Sequence, residues 1–197
     1  MLISGIKSRP VYPGLRIDPY AKQNIFVADA DGIAAVVDLF KQASPEFAQR
    51  STLLLAGNAD LTKFGDGPRP ATVWSLPTLD TAINRLAGAF AQARMGLRLY
   101  VAGPEPLISR VVQSAMAHGI EHQSIITEHR GSTKRRVQCV HCKGFTDDVT
   151  TNPVTCAHCG TLLLVRDHFS RRFGAFMGVR IDAEAPGEPV QPLGEFK

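Results

Sequence analysis

The chain has 197 residues, 44% hydrophobic and 20% charged, with 17 Gly, 13 Pro and four Cys, which suits one globular core plus a small module. No apolar run is long enough to cross a bilayer and the opening MLISGIKSRPVYPGL lacks the apolar stretch of a secretory signal, so the expectation is a cytoplasmic protein with no membrane partner. The net charge of +4 is uneven: residues 1–133 carry 13 basic and 11 acidic side chains, residues 134–180 carry 8 and 3, and residues 181–197 carry 1 and 4, so the basic character belongs to the segment that holds the cysteines.

Residues 1–23 are rich in Pro and Gly (Pro10, Pro13, Gly14, Pro19) and show no sustained period, so they read as an extended arm. A regular rhythm starts at Asn24. NIFVA (24–28) reads as a buried strand, and after Asp29, Asp31 and Gly32 the apolar residues Ile33, Val36, Val37 and Phe40 recur at the spacing of one helical face. TLLLA (52–56) and TVWS (72–75) read as further strands. Thr78 is a helix cap, followed by the stripe Leu79, Ile83, Leu86, Ala87 and Phe90, with Gly96 just past the end. RLYVA (98–102) runs into Gly103-Pro104 and a helix with the stripe Leu107, Ile108, Val111, Val112, Ala115 and Met116, stopped by Gly119; SIIT (124–127) closes the series. Short apolar strands alternating with amphipathic helices specify an α/β fold with an open parallel sheet of about five strands over residues 24–133. Ligands of such sheets bind beyond the carboxyl ends of the strands, here the Asp29–Gly32 and Gly103-Pro104 turns.

Residues 25–40 and 98–128 resemble the first and last parts of the NAD(P)-binding domain of the ferredoxin reductase superfamily. The resemblance implies a nucleotide cleft lined by Gly32, Gly103, Pro104 and Glu105, with NAD(P)H as its cofactor. Three departures accompany it. Asp29 and Asp31 stand where the family keeps small residues around pyrophosphate, and two carboxylates there repel phosphate. Ala102 replaces the usual Cys, and the two dozen residues before the sheet leave no room for a flavin-binding barrel. A domain that has lost its nucleotide, or that works against a flavin held by another chain, fits these departures.

Gly131 to Arg136, GSTKRR, form a polar hinge into a second module at residues 134–180. Its centre is CVHCKGFTDDVTTNPVTCAHCG, two CxxC pairs, Cys139/Cys142 and Cys156/Cys159, separated by thirteen residues. Two such turns converge four thiolates on one soft divalent ion, and four sulfurs leave no open position for water or substrate, so the ion is structural. Zinc is the favoured occupant. Iron in a rubredoxin-like site, two disulfides and a thioredoxin-like redox pair are the alternatives. VQC (137–139) and TLLLV (161–165) read as the hairpin strands of a zinc ribbon, a module so small that the metal must supply much of its folding free energy. His141 and His158 read as exposed knuckle residues, since the cysteines saturate the ion.

Phe169, Phe173, Phe176 and Met177 then interleave with Arg171, Arg172 and Arg180. They read either as the missing core of the ribbon or as a protein-docking segment. Residues 181–197 form a Pro-rich acidic tail that orders only if something holds it.

The two knuckles followed by DHFSRRFGAFMGVRIDAEAPGEPV, with SRPVYPGL near the start, resemble the A-subunit family of dimethylamine monooxygenase over nearly the whole chain. This resemblance implies an accessory subunit of a multicomponent NAD(P)H-dependent monooxygenase that oxidatively demethylates dimethylamine to methylamine and formaldehyde. Haem, flavin and iron–sulfur centres are then expected on partner subunits, with no catalytic residue in this chain. The competing readings are a zinc-ribbon nucleic-acid-binding protein, suggested by the basic module and its KRR run, and a stand-alone rubredoxin-like electron-transfer protein.

Overall fold

A computed structural model describes residues 8–183 and 194–196, so most of the expected tail lies outside the described residues. The chain divides into two compact units, residues 12–132 and residues 1–11 with 133–197. Among the described residues no helix is long and apolar enough to cross a membrane.

The first unit is built on five strands: β1 (Gln23–Ala28), β2 (Ser51–Ala56), β3 (Thr72–Leu76), β4 (Leu97–Gly103) and β5 (Ile125–His129). They form one parallel sheet in the order β3-β2-β1-β4-β5. The helices are α1 (Ile33–Phe40), α2 (Pro45–Gln49), α3 (Leu79–Ala91) and α4 (Glu105–Ala117). Strand periodicity decides which face each side chain covers. From β1, Phe26 and Ala28 join Leu53, Leu55, Tyr100 and Ala102 under α1 and α2, while Ile25 and Val27 join Leu54, Leu99 and Val101 under α3 and α4. Both faces are therefore apolar, and this is why these strands read as continuous hydrophobic runs. Phe26 stacks on Tyr100 with centroids 4.4 Å apart and rings 10° from parallel, at the centre of the first face. Burial of each such side chain contributes about 1.5–3 kcal/mol.

The helix limits follow from local chemistry. The Thr78 hydroxyl accepts from the Thr81 amide, and the Thr81 hydroxyl reciprocates at the Thr78 amide, a capping box. Helix α2 is short and escapes periodicity, although Ser44 caps it and Pro45 opens it. The segment before β1 is held rather than free. The Gly14 amide donates to the Thr127 carbonyl, the Leu15 amide to Glu128 and the Asp18 amide to the Tyr100 hydroxyl. Leu15 and Ile17 pack on one sheet face and Tyr12 on the other core.

The second unit contains β6 (Arg135–Cys139), β7 (Phe145–Val149), β8 (Thr151–Asn152), β9 (Val154–Thr155), β10 (Leu162–Ser170), β11 (Ala175–Arg180) and β12 (Gly194–Glu195). Five of them form a sheet in the order β7-β6-β11-β10-β9, and β12 pairs with β8. VQC and TLLLV thus do not pair with each other. Each closes its own hairpin around a knuckle, β6 with β7 and β9 with β10, and β11 lies between them, parallel to β6. The aromatic segment supplies the core: Phe176 is buried with Val137, Val149, Leu163 and Val165, Phe169 packs against them, and Phe173 stays exposed. At the start of the chain the Ser8 amide donates to Asp167 and Ser8 forms a parallel bridge with His168.

Candidate metal centre and the sheet crevice

The four cysteines meet. Their sulfurs all lie within 4.8 Å of one another, with Cys139 Sγ 3.9 Å from Cys159 Sγ and Cys142 Sγ 3.7 Å from Cys156 Sγ. A tetrahedron with metal–sulfur bonds of about 2.3 Å has edges of about 3.8 Å, whereas a disulfide brings sulfurs to about 2.05 Å. The spacing is that of four ligands around one ion. Cys139 and Cys156 are buried and the other two lie at the surface.

The backbone of each knuckle sets this spacing. The Lys143 amide donates to the Cys139 carbonyl and the Gly160 amide to the Cys156 carbonyl, closing equivalent turns. Lys143 and Gly160 occupy the same position after each pair, both left-handed, with φ of 64° and 71°. The Gly144 amide reaches Cys142 Sγ at 3.4 Å, and the Thr161 hydroxyl lies 3.3 Å from Cys159 Sγ. The surroundings of the exposed sulfurs differ. Contacts from the Thr161 hydroxyl, then the Thr161 amide and His141, pull Cys159 down to about 5. The Gly144 amide pulls Cys142 the same way, but burial and the three neighbouring sulfurs push it up to about 12. A divalent ion removes this competition by charging all four.

His158 does more than its exposure suggests. Its Nε2 lies 2.9 Å from the Phe145 carbonyl, and its ring covers Gly144 so closely that a Cβ there would meet the ring at 2.6 Å. The Ala157 amide also donates to the Thr146 hydroxyl, so the second knuckle is tied to the strand that leaves the first. Gly144 is required by this contact as much as by its approach to sulfur. The position of His158 directly before Cys159 in CAHC carries no signal for this role, because the partner is a carbonyl.

The basic run beside the centre is engaged internally. Lys134 pairs with Asp148 at 3.4 Å, Arg136 with Asp147 at 3.2 Å and Arg135 with Asp167 at 2.9 Å. The Arg135 guanidinium lies between the Phe176 and Phe196 rings, 4.3 and 3.9 Å from their centroids. A phosphate-binding use of these three residues would have to break carboxylate pairs first.

The residues expected to line a nucleotide cleft lie at the carboxyl ends of β1 and β4, adjacent strands where the sheet order reverses. Gly32 caps α1, Gly103 ends β4, Pro104 caps α4 and Glu105, the first residue of α4, is buried. Gly32 has a packing reason to be glycine: a Cβ would sit 1.9 Å from the Ala102 carbonyl oxygen. The sequence marked Asp29 as a carboxylate that repels phosphate but did not reveal its hold on the turn's amides, and it did not single out Tyr12 at all. Asp29 Oδ1 accepts from the Asp31 amide at 3.0 Å and the Gly32 amide at 2.9 Å. Tyr12 stacks on His129 at 5.8 Å, and its hydroxyl is held protonated, chiefly by burial and then by the charge of Glu105. The Asp-x-x-Gly spacing before α1 is a capping signal that could have revealed the first; the aperiodic arm gave none for the second.

Two family models match the chain. One is described as dimethylamine monooxygenase subunit DmmA-like, N-terminal domain, over residues 4–125, and the other as the C-terminal domain of the same subunit, over residues 136–179. A curated protein of Ectopseudomonas mendocina (strain ymp), the heme-dependent oxidative N-demethylase delta subunit, is 37% identical over 107 residues, 54% of this chain and 61% of the relative. The match therefore spans less than two thirds of that relative's length. Among solved structures, the ferredoxin reductase in carbazole 1,9a-dioxygenase (FAD apo form) is 13% identical with a TM-score of 0.41, covering 55% of this chain and 32% of that one. An intact type IV self-sufficient cytochrome P450 monooxygenase is 22% identical with a TM-score of 0.41, covering 68% of this chain and 20% of that one. Likenesses this loose add nothing to what the sheet itself shows. With its N-terminal model matched over more than half the chain and its C-terminal model over the cysteine unit, the chain belongs to the DmmA-like family of dimethylamine monooxygenase subunits.

Proposed function

We propose that this chain is an accessory subunit of a multicomponent, NAD(P)H-dependent monooxygenase that oxidatively demethylates dimethylamine to methylamine and formaldehyde. The observation that carries this reading is the ordered match of both units to the two domains of one oxygenase subunit. In this role Cys139, Cys142, Cys156 and Cys159 hold zinc, whose four thiolates leave no vacancy for water, so the ion folds the unit instead of reacting. The chain contributes its reductase-like domain and the contacts of assembly. Haem, flavin and an iron–sulfur centre reside on partner subunits, and no side chain here makes or breaks the substrate's bonds. The site is cytoplasmic, where reduced thiols suit metal rather than disulfides.

Purification of the natively expressed protein with its companions, followed by elemental analysis, tests this. The expected result is about one zinc per chain, a colourless isolated subunit, and co-elution with haem- and flavin-bearing chains. Ferric-thiolate colour in the isolated chain would overturn the zinc assignment, and elution without companions would overturn the subunit role.

A further inference from the structure

We infer that the crevice between β1 and β4 is closed by the chain's own groups, so that the α/β unit takes no pyridine dinucleotide and the NAD(P)H of the complex binds another chain. In an open parallel sheet a dinucleotide lays its pyrophosphate on the amides at the head of the helix after the first strand, at the point where the strand order reverses. Those amides exist here but are occupied. Asp29 Oδ1 takes the Asp31 and Gly32 amides at 3.0 and 2.9 Å, so an anion of the chain itself holds the place of a phosphate oxygen.

A second observation concerns space. The head of α1 is pressed onto the end of β4 so tightly that a Cβ on Gly32 would lie 1.9 Å from the Ala102 carbonyl oxygen, and one on Gly103 would lie 3.0 Å from Asp29 Oδ1. The glycines that admit pyrophosphate elsewhere here admit backbone and a carboxylate. Asp31 adds to the closure, because its carboxylate lies against Gly131, where a Cβ would be 2.2 Å from Oδ2. A third observation comes from the arm. Tyr12 packs with the apolar residues under α3 and α4, stacks on His129 beside Gly103 in the β4–β5 register, and faces the buried Glu105 at the head of α4. Negative charge at Asp29, Asp31 and Glu105 would oppose a dinucleotide phosphate even if these groups moved aside.

The assignment deepens the subunit reading by placing the nucleotide on a partner, yet its test needs only the full-length chain. Amide resonances of Asp31 and Gly32 are followed while NADPH, and separately inorganic pyrophosphate, is titrated. The native chain is expected to show no saturating shift with either. The Asp29→Ala chain, or Asp29→Gly if that folds better, is expected to show pyrophosphate shifts at Gly32 with affinity at least about tenfold above the native chain. Saturating NADPH shifts at Gly32 in the native chain would overturn the inference. Variants as indifferent to pyrophosphate as the native chain would overturn the role given to Asp29. Neither result bears on co-elution with the oxygenase, so a failure of the subunit role is read separately.

Discussion

Single residues in this chain are fixed by contacts that substitution can interrogate. Gly32→Ala forces a methyl group against the Ala102 carbonyl oxygen, a backbone atom that cannot step aside. The expected cost is about 1–3 kcal/mol or more, read as a lower urea midpoint of the α/β unit with metal content unchanged. Asp167 is a second case. Burial raises its pKa, but hydrogen bonds from Arg9 and Arg135 outweigh burial and hold the carboxyl below the usual range. A depressed carboxyl stabilises the fold above its unfolded value of about 3.9, and that stabilisation is lost as pH falls through the lower folded value. Asp167→Asn is therefore expected to be less stable than the native chain by about 1–3 kcal/mol at pH 7. The gap should narrow below about pH 4. Comparing metal-loaded native and variant chains at each pH cancels the acid sensitivity of the thiolates. A gap independent of pH would mean that the Asp167 charge contributes nothing.

At the level of elements, legibility in the sequence followed how local each determinant is. Strands buried on both faces announce themselves as apolar runs, and helices α3 and α4 carry their stripes and stop signals within the element, so the parallel sheet could be read directly. The quartet of cysteines was legible because ligand spacing is a local property. Helix α2 was not, because five residues give no period, and the arm was not, because Gly14, Leu15 and Asp18 are held by residues over eighty positions away. The same limit hid His158, whose partner lies in β7. His158→Ala should uncouple the knuckles while leaving all four ligands in place. A reduction in metal affinity of about 10–100-fold is expected in competition with a chelator, the range typical of groups that orient ligands. Unchanged affinity would reduce His158 to a surface residue.

At the scale of the whole chain, the two units depend on different sources of free energy, and this separates their responses to metal removal. Residues 12–132 bury two apolar layers, one on each face of a five-stranded sheet, and contain none of the four cysteines. The second unit has, among the described residues, one small core in which Cys139 and Cys156 are themselves members, so withdrawing an ion held by the four cysteines would remove an organising centre from that cluster. Folding free energy and metal affinity are then one quantity for that unit, as in other small four-cysteine modules. The sole tryptophan, Trp74, lies in β3 of the first unit and under the Arg85 guanidinium at 4.0 Å, so its fluorescence reports on the sheet. Treatment with a strong chelator, or substitution Cys139→Ser, is expected to collapse amide-exchange protection in β6, β10 and β11 while Trp74 emission and its denaturation midpoint stay where they were. The outcome that would defeat this view is a single transition in which Trp74 follows the metal, because the sheet would then draw its stability from the centre. Protected β6 and β10 amides after complete metal loss would equally show that the ribbon needs no ion.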